Sequence, residues 1–134
     1  MLRRTFLAAC AIALTPLSAA ADMIDYTPGA INAALADGQT VFVDYSATWC
    51  GTCARQERVI SKLRAENPAY DDAMTFIRVN WDDFKNADVT TSREIPRRST
   101  LLVLRGNEEL GRNVAGTSVS AIRDLMDLGL QDAS

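Results

Sequence analysis

Strands alternating with helices, followed by a hairpin and a closing helix, predict an α/β domain built on a central mixed sheet with helices on both faces. Three observations carry that prediction. Apolar, β-rich runs at 39–45, 74–79 and 100–104 are separated by stretches with helical spacing. Gly106-Asn107 joins the last of these runs to a fourth as a tight turn. Ser118 stands before a final amphipathic stretch and can cap it.

Thr27-Pro28 reads as a helix start, with a capping threonine and then proline at the first helical position. Ala30, Ile31, Ala34 and Leu35 recur at helical spacing, and Asp37-Gly38 is a glycine stop. The run at 39–45 holds Val41, Phe42, Val43 and Tyr45 and reads as a buried strand. From 53 to 66 the pattern is helical, with Val59, Ile60 and Leu63 apolar, and Asn67-Pro68 ends it. Residues 74–79 alternate as a second strand. The polar stretch 82–94 holds a short helix near 87–93. Strands at 100–104 and 109–115 form the hairpin, and Val119, Ile122, Leu125 and Met126 mark the last helix. The sheet has four strands by this reading, and five if the short piece 23–26 adds an edge.

A chain of 134 residues has room for one domain, and 48% hydrophobic with 23% charged residues is an ordinary globular balance. The first stretch stands apart. Arg3 and Arg4 precede an apolar run from Leu7 to Leu14, and small residues follow from Ser18 to Ala21. These are the parts of a secretory signal peptide cut near Ala20-Ala21. The apolar run is short for a membrane span and is interrupted by Pro16. The expected organisation is therefore a leader at 1–21 and one domain at 22–134, with a periplasmic location. Arg3-Arg4-Thr5-Phe6-Leu7 leaves both the general and the twin-arginine export routes open. Losing Arg3 and Arg4 would take the formal net charge from −3 to −5, which argues against nucleic acid or an anionic membrane as partner.

That cut also removes Cys10. Cys50 and Cys53 are then the only thiols, and the chain has no histidine. The pair is spaced Cys-x-x-Cys between a strand and a helix. There the free amides and the dipole of the helix favour a thiolate on Cys50, the attacking form in disulfide exchange. Cys53, one turn on, is placed to resolve the mixed disulfide. Two other readings remain: a structural disulfide, or part of a metal site. Zinc usually takes four ligands, so two more would have to be carboxylates or come from a second chain. A covalent haem is excluded because Ala54, not histidine, follows Cys53.

Val41-Phe42-Val43-Asp44-Tyr45-Ser46-Ala47-Thr48-Trp49-Cys50-Gly51-Thr52-Cys53 resembles the active-site strand and loop of thioredoxins, whose usual motif is Trp-Cys-Gly-Pro-Cys. The resemblance continues at Arg78-Val79-Asn80-Trp81-Asp82, at Thr100 to Glu108 and at Gly116. It implies a thioredoxin-like fold and a thiol–disulfide oxidoreductase acting on protein disulfides or dithiols. With the leader, the implied relatives are exported reductases similar to TlpA or the C-terminal domain of DsbD. On that resemblance the chain is expected to be a monomer without an organic cofactor, with a membrane thiol reductase as the expected electron donor if it works as a reductant.

The resemblance also assigns residues. Asp44 matches a buried aspartate beneath the second cysteine, the proton acceptor for Cys53, and Arg78 stands where the family often has a lysine beside it. Trp49, Gly51 and Thr52, with the loop Arg98-Ser99-Thr100, match the partner-binding surface. The chain departs from the family at Ser99, where a cis-proline is usual. A non-proline cis bond costs about 2.5–4 kcal/mol, so this loop is either trans or cis under strain. Pro96 is the alternative match, with Arg97-Arg98 as an insertion. Either way Arg97 and Arg98 fall near the rim, where they could steer an acidic partner or favour the Cys50 thiolate. Without the proline's screening, a metal- or Fe–S-cluster-binding protein using the same pair is the alternative function.

Overall fold

The computed structural model describes residues 22–132, and the expected leader lies outside the described residues. In chain order the elements are β1 (Ile24–Asp25), α1 (Ala30–Ala36), β2 (Thr40–Ser46), α2 (Gly51–Glu66), α3 (Ala69–Ala73), β3 (Met74–Asn80), α4 (Trp81–Phe84), α5 (Asp88–Thr91), β4 (Thr100–Arg105), β5 (Glu108–Val114) and α6 (Val119–Leu128). The five strands form one sheet in the order β1-β3-β2-β4-β5. β1 and β2 run parallel to β3, while β4 runs antiparallel to β2 and to β5. The edge strand at 23–26 therefore forms, as two residues paired with Ile77 and Arg78.

All seven residues of β2 are buried. Strand side chains alternate between faces, so Val41, Val43 and Tyr45 enter one core and Phe42 the other. The first core packs α1 and the 81–95 segment through Ile31, Phe84, Val89 and Ile95. The second packs α2 and α6 through Ile60, Leu63, Ile122, Leu125 and Met126. Asp44 shares the Phe42 face by alternation, so it lies on the side that α2 covers. Tyr45, on the opposite face, donates its hydroxyl to the Val89 carbonyl at 2.6 Å and ties α5 to the sheet.

Four elements differ from the sequence reading. Helix α1 is capped by Gly29 at φ 85°, not by Thr27, and Thr27 and Pro28 form a turn whose Thr27 carbonyl accepts the Ala30 amide. Glycine takes that left-handed φ without a Cβ penalty, and this overrides the threonine–proline signal. Helix α2 begins at Gly51, two residues early, because Cys50 serves as its cap. A five-residue helix, α3, follows Pro68 directly; Asn67 Oδ1 accepts the Ala69 amide and opens the next turn. The 82–94 segment contains two four-residue helices rather than one, the first capped by the Asn80 side chain on the Asp82 and Asp83 amides. The hairpin at Gly106-Asn107 and the Ser118 cap on the Ala121 amide are found as read.

The docking of α6 rests on Ile122, which is fully buried, whereas Ile24 on the edge strand is 56% exposed. Ile122→Ala is expected to lower unfolding stability by about 2–5 kcal/mol. Ile24→Ala should lower it by under about 1 kcal/mol. Urea denaturation of the two variants gives the comparison.

Candidate active site

β2 ends at Ser46 and α2 begins at Gly51. The short connection carries Cys50 to the helix N-cap, where its Sγ accepts the Cys53 amide at 3.2 Å. A cap sulfur takes one of the helix's unpaired N–H groups and sits at the positive end of its dipole. Cys50 and Cys53 are joined as a disulfide across a Cα–Cα distance of 5.3 Å. The two are not equivalent: Cys50 is 5% exposed and Cys53 1%. An incoming group therefore meets Cys50 first.

Asp44 is fully buried, and neither carboxylate oxygen has a hydrogen-bond partner among the described residues. Burial raises its pKa from 3.8 to about 7, against the lowering pull of the Arg78 guanidinium and with a smaller upward push from Glu57. Arg78 is the register partner of Asp44 on β3, but its guanidinium bonds the Glu57 carboxylate instead. The expected Asp44 partner is thus held by an acid on α2. A carboxyl that titrates near neutrality can exchange a proton at working pH.

Ser99 is the residue that meets the cysteines. No cis peptide bond occurs among the described residues, so the loop is trans and Pro96 is not a cis-proline. Ser99 has φ 64°, a left-handed conformation that costs a non-glycine residue about 1–3 kcal/mol. It is fully buried. Its amide donates to the Tyr45 carbonyl at 2.7 Å, and its carbonyl accepts the Ala115 amide at 2.8 Å and Gln56 Nε2 at 3.0 Å. Its Oγ lies 3.2 Å from Cys50 Sγ and 3.0 Å from Cys53 Sγ. Thr100 is also fully buried, with its hydroxyl on the Arg97 carbonyl at 2.6 Å. Both side chains therefore shape the floor of the site rather than its outer surface.

The outer surface is made by other predicted residues. Trp49 is 59% exposed, its indole N–H donating to the Asp82 carboxylate at 2.9 Å and the Arg98 guanidinium lying 4.5 Å from its ring centroid. An indole held between an acid and a cation is a fixed flat wall rather than a loose side chain. Gly51 is exposed with open space where a Cβ would stand, and Thr52 is half-buried. Arg97, half-buried, bonds the Arg98 carbonyl. A cleft of about 480 Å³ runs beside Cys50, lined by Tyr26, Ala47, Glu57, Arg78, Asp83 and Phe84 among others.

Sequence reasoning missed Gln56 and Glu57. Gln56 is fully buried and donates to both the Ser99 and Gly116 carbonyls at 3.0 Å, fastening the loop to α2. The signal was available: Gln56, Ile60 and Leu63 fall three, seven and ten residues after Cys53, in phase on one helical face. Glu57 reaches the same end of α2 from the adjacent position. Among the described residues no group of three or more His, Cys, Asp and Glu converges as a metal site.

The thioredoxin family model matches residues 23–127. Saccharomyces cerevisiae Thioredoxin-1 is 30% identical over 97 residues, covering 72% of this chain and 87% of its own length. Thioredoxin-2 of the same yeast is 34% identical over 93 residues, 69% and 83% of the two chains. Among solved structures, Trxlp from Edwardsiella tarda matches with a TM-score of 0.68 at 35% identity, covering 78% of this chain and 98% of that one. Plasmodium falciparum thioredoxin matches in fold with a TM-score of 0.64 at 24% identity.

The buried Asp44 carboxyl has a stability consequence with a definite sign. Unfolded, it ionises above pH 3.8; folded, it holds its proton to about pH 7. The folded chain binds the extra proton between those values, so stability falls as pH rises through the window and the loss is complete above pH 7. The difference from 3.8 to about 7 corresponds to about 4 kcal/mol. Asp44→Asn should therefore gain stability relative to the parent as pH rises from 4 to 8, approaching that figure. Urea midpoints at several pH values give the curve, and a flat difference would mean that the carboxyl is not shielded from water.

Proposed function

The chain belongs to the thioredoxin family and is a protein thiol–disulfide oxidoreductase; from that premise we propose that it is exported to the periplasm and works there as a reductant. Cys50 is the attacking thiolate, Cys53 the resolving thiol and Asp44 the acceptor of the Cys53 proton. The observation that carries this assignment is the asymmetry of the pair: Cys50 caps α2 with its sulfur on an amide, while Cys53 is the more deeply buried. In the reducing direction Cys50 attacks a partner disulfide and expels one partner thiolate. Cys53 then loses its proton to Asp44 and attacks Cys50, expelling the second thiolate and restoring the Cys50–Cys53 disulfide. Two electrons pass to the partner.

Export is supported by the basic, apolar and small-residue segments of 1–21, and the reducing role by the resemblance to exported thioredoxin-like reductases. A membrane thiol reductase of the kind that serves TlpA-like proteins or the C-terminal domain of DsbD would return the electrons. The protein works as a monomer by this reading.

A redox titration of the 22–134 domain against glutathione or dithiothreitol, read by thiol alkylation, tests the function. A reversible two-electron transition at or below about −230 mV supports the reductant, and one between about −180 and −120 mV makes it an oxidant or isomerase. No reversible disulfide would defeat the reading and turn attention to metal content. Cys50→Ser should abolish reduction of a protein disulfide, while Cys53→Ser should accumulate the mixed disulfide on Cys50, visible by mass. Mass analysis of the protein expressed as the full chain in a Gram-negative host should find a species lacking about the first 21 residues in the periplasmic fraction; an uncut cytosolic species would overturn export.

A further inference from the structure

We propose that the Ser99 hydroxyl is a third catalytic group of the dithiol centre, donating its hydrogen to whichever of the two sulfurs carries the negative charge. The inference deepens the function above and rests on it. Ser99 Oγ is 3.2 Å from Cys50 Sγ and 3.0 Å from Cys53 Sγ, so one donor reaches both. The backbone that carries it is held on both sides. The Ser99 amide and carbonyl are both bound inward, to Tyr45, Ala115 and Gln56. With the backbone committed, the hydroxyl is the remaining polar group of a fully buried residue, and it faces the sulfurs. The left-handed φ of 64° is the conformation that holds this arrangement.

In the disulfide, sulfur is a weak acceptor and the bond contributes little. On reduction, Cys50 becomes a thiolate with two donors, the Cys53 amide and the Ser99 hydroxyl. Hydrogen bonds to an ionised acceptor are shorter and stronger than neutral ones. During turnover the Cys50 thiolate bonds to one partner sulfur and the other partner sulfur leaves as thiolate. Cys53 then gives up its proton to Asp44, and the same hydroxyl is within reach of the new Cys53 thiolate. That thiolate attacks Cys50 Sγ, and the second partner thiolate leaves. Ser99 keeps its own proton throughout, so it transfers no charge and alters no electron count. A proline at this position has neither a hydroxyl nor an amide hydrogen and could do none of this.

Because the hydroxyl favours the reduced, charged form, its loss should make the protein a stronger reductant. Two variants separate chemistry from folding. Ser99→Gly accepts the positive φ without strain, and Ser99→Ala keeps a Cβ. In both, the Cys50 thiol should titrate about one pH unit higher, read by thiolate absorbance or by the pH dependence of alkylation. The equilibrium constant for reduction by glutathione should fall about tenfold, about 30 mV in potential. A purely structural role for Ser99 would lower thermal stability without moving either readout. If both variants keep the parent's thiol titration and glutathione constant, the inference is overturned. If the parent's Cys50–Cys53 pair does not exchange with glutathione at all, the oxidoreductase assignment fails first, and this inference fails with it.

Discussion

The register of β2 is the constraint on which the rest of the site depends. The strand is hydrogen-bonded on both sides and buried along its whole length. Because successive side chains face opposite ways, a one-residue slip would exchange the two faces. Asp44 would then leave the side covered by α2 and enter the core of α1. The same strand ends at Ser46, which sets how far Cys50 is from the sheet, and its Tyr45 carbonyl receives the Ser99 amide. The carboxyl, the cysteine pair and the serine loop are thus three attachments to one strand. Burial of its own Val41, Phe42 and Val43 on opposite faces, together with the hydrogen-bonded ladders on both sides, holds the register.

Two features of the centre work against folding. One is a buried carboxyl without a hydrogen-bond partner, and the other is a serine in left-handed conformation. Domains of this size have net stabilities of about 5–15 kcal/mol, so an opposing term of about 4 kcal/mol from Asp44 above neutral pH is a large share. Such features persist only where the surroundings over-determine them. Here Asp44 is fully buried in β2 between β3 and β4, and Ser99 is fully buried and tied to Tyr45, Gln56 and Ala115. Of the two, Ser99 lies directly against the cysteine pair, with its hydroxyl within hydrogen-bond reach of both sulfurs. Glu57 belongs to the same design. By bonding Arg78 it keeps the guanidinium from a direct ion pair with Asp44, and a direct pair would hold the carboxylate charged and unable to take up a proton near neutrality.

The sequence made the architecture legible because most of it follows from periodicity and punctuation. The Val41-Phe42-Val43 run could only be a buried strand, Gly106-Asn107 only a turn, and Ser118 was a cap with an apolar helix behind it. The misses share a cause: competition between local signals that sequence alone does not rank. Thr27-Pro28 is a good helix start, but Gly29 beside it adopts the left-handed cap. Asn67-Pro68 ends one helix, and the same capping residue followed by proline also starts the next, a second meaning that the helix-stop reading hid. The positions of the site were legible: Cys50 at the start of α2, Cys53 one turn on, and Asp44 buried in an apolar strand. The site was not legible where a role comes from long-range contact. Gln56 joins Ser99 and Gly116, residues 43 and 60 positions away in sequence, and its helical phase gave burial without naming a partner.

The exchange of proline for serine changes how the loop is held as well as what it offers. Proline fixes a turn through its ring and by lacking an amide hydrogen. Serine supplies that hydrogen, and here it closes the loop onto β2 through the Tyr45 carbonyl at 2.7 Å. Rigidity that a ring would have given is replaced by a set of hydrogen bonds running from β2 through Ser99 to α2 and the end of β5. Those bonds draw both backbone polar groups of Ser99 inward, so a docking peptide cannot pair with them. What remains for a partner is the surface just outside: the Trp49 face, the Arg98 guanidinium stacked on it and the Asp82 carboxylate behind it. The rim of the site is therefore walled by side chains, while the backbone of Ser99 is closed off within it.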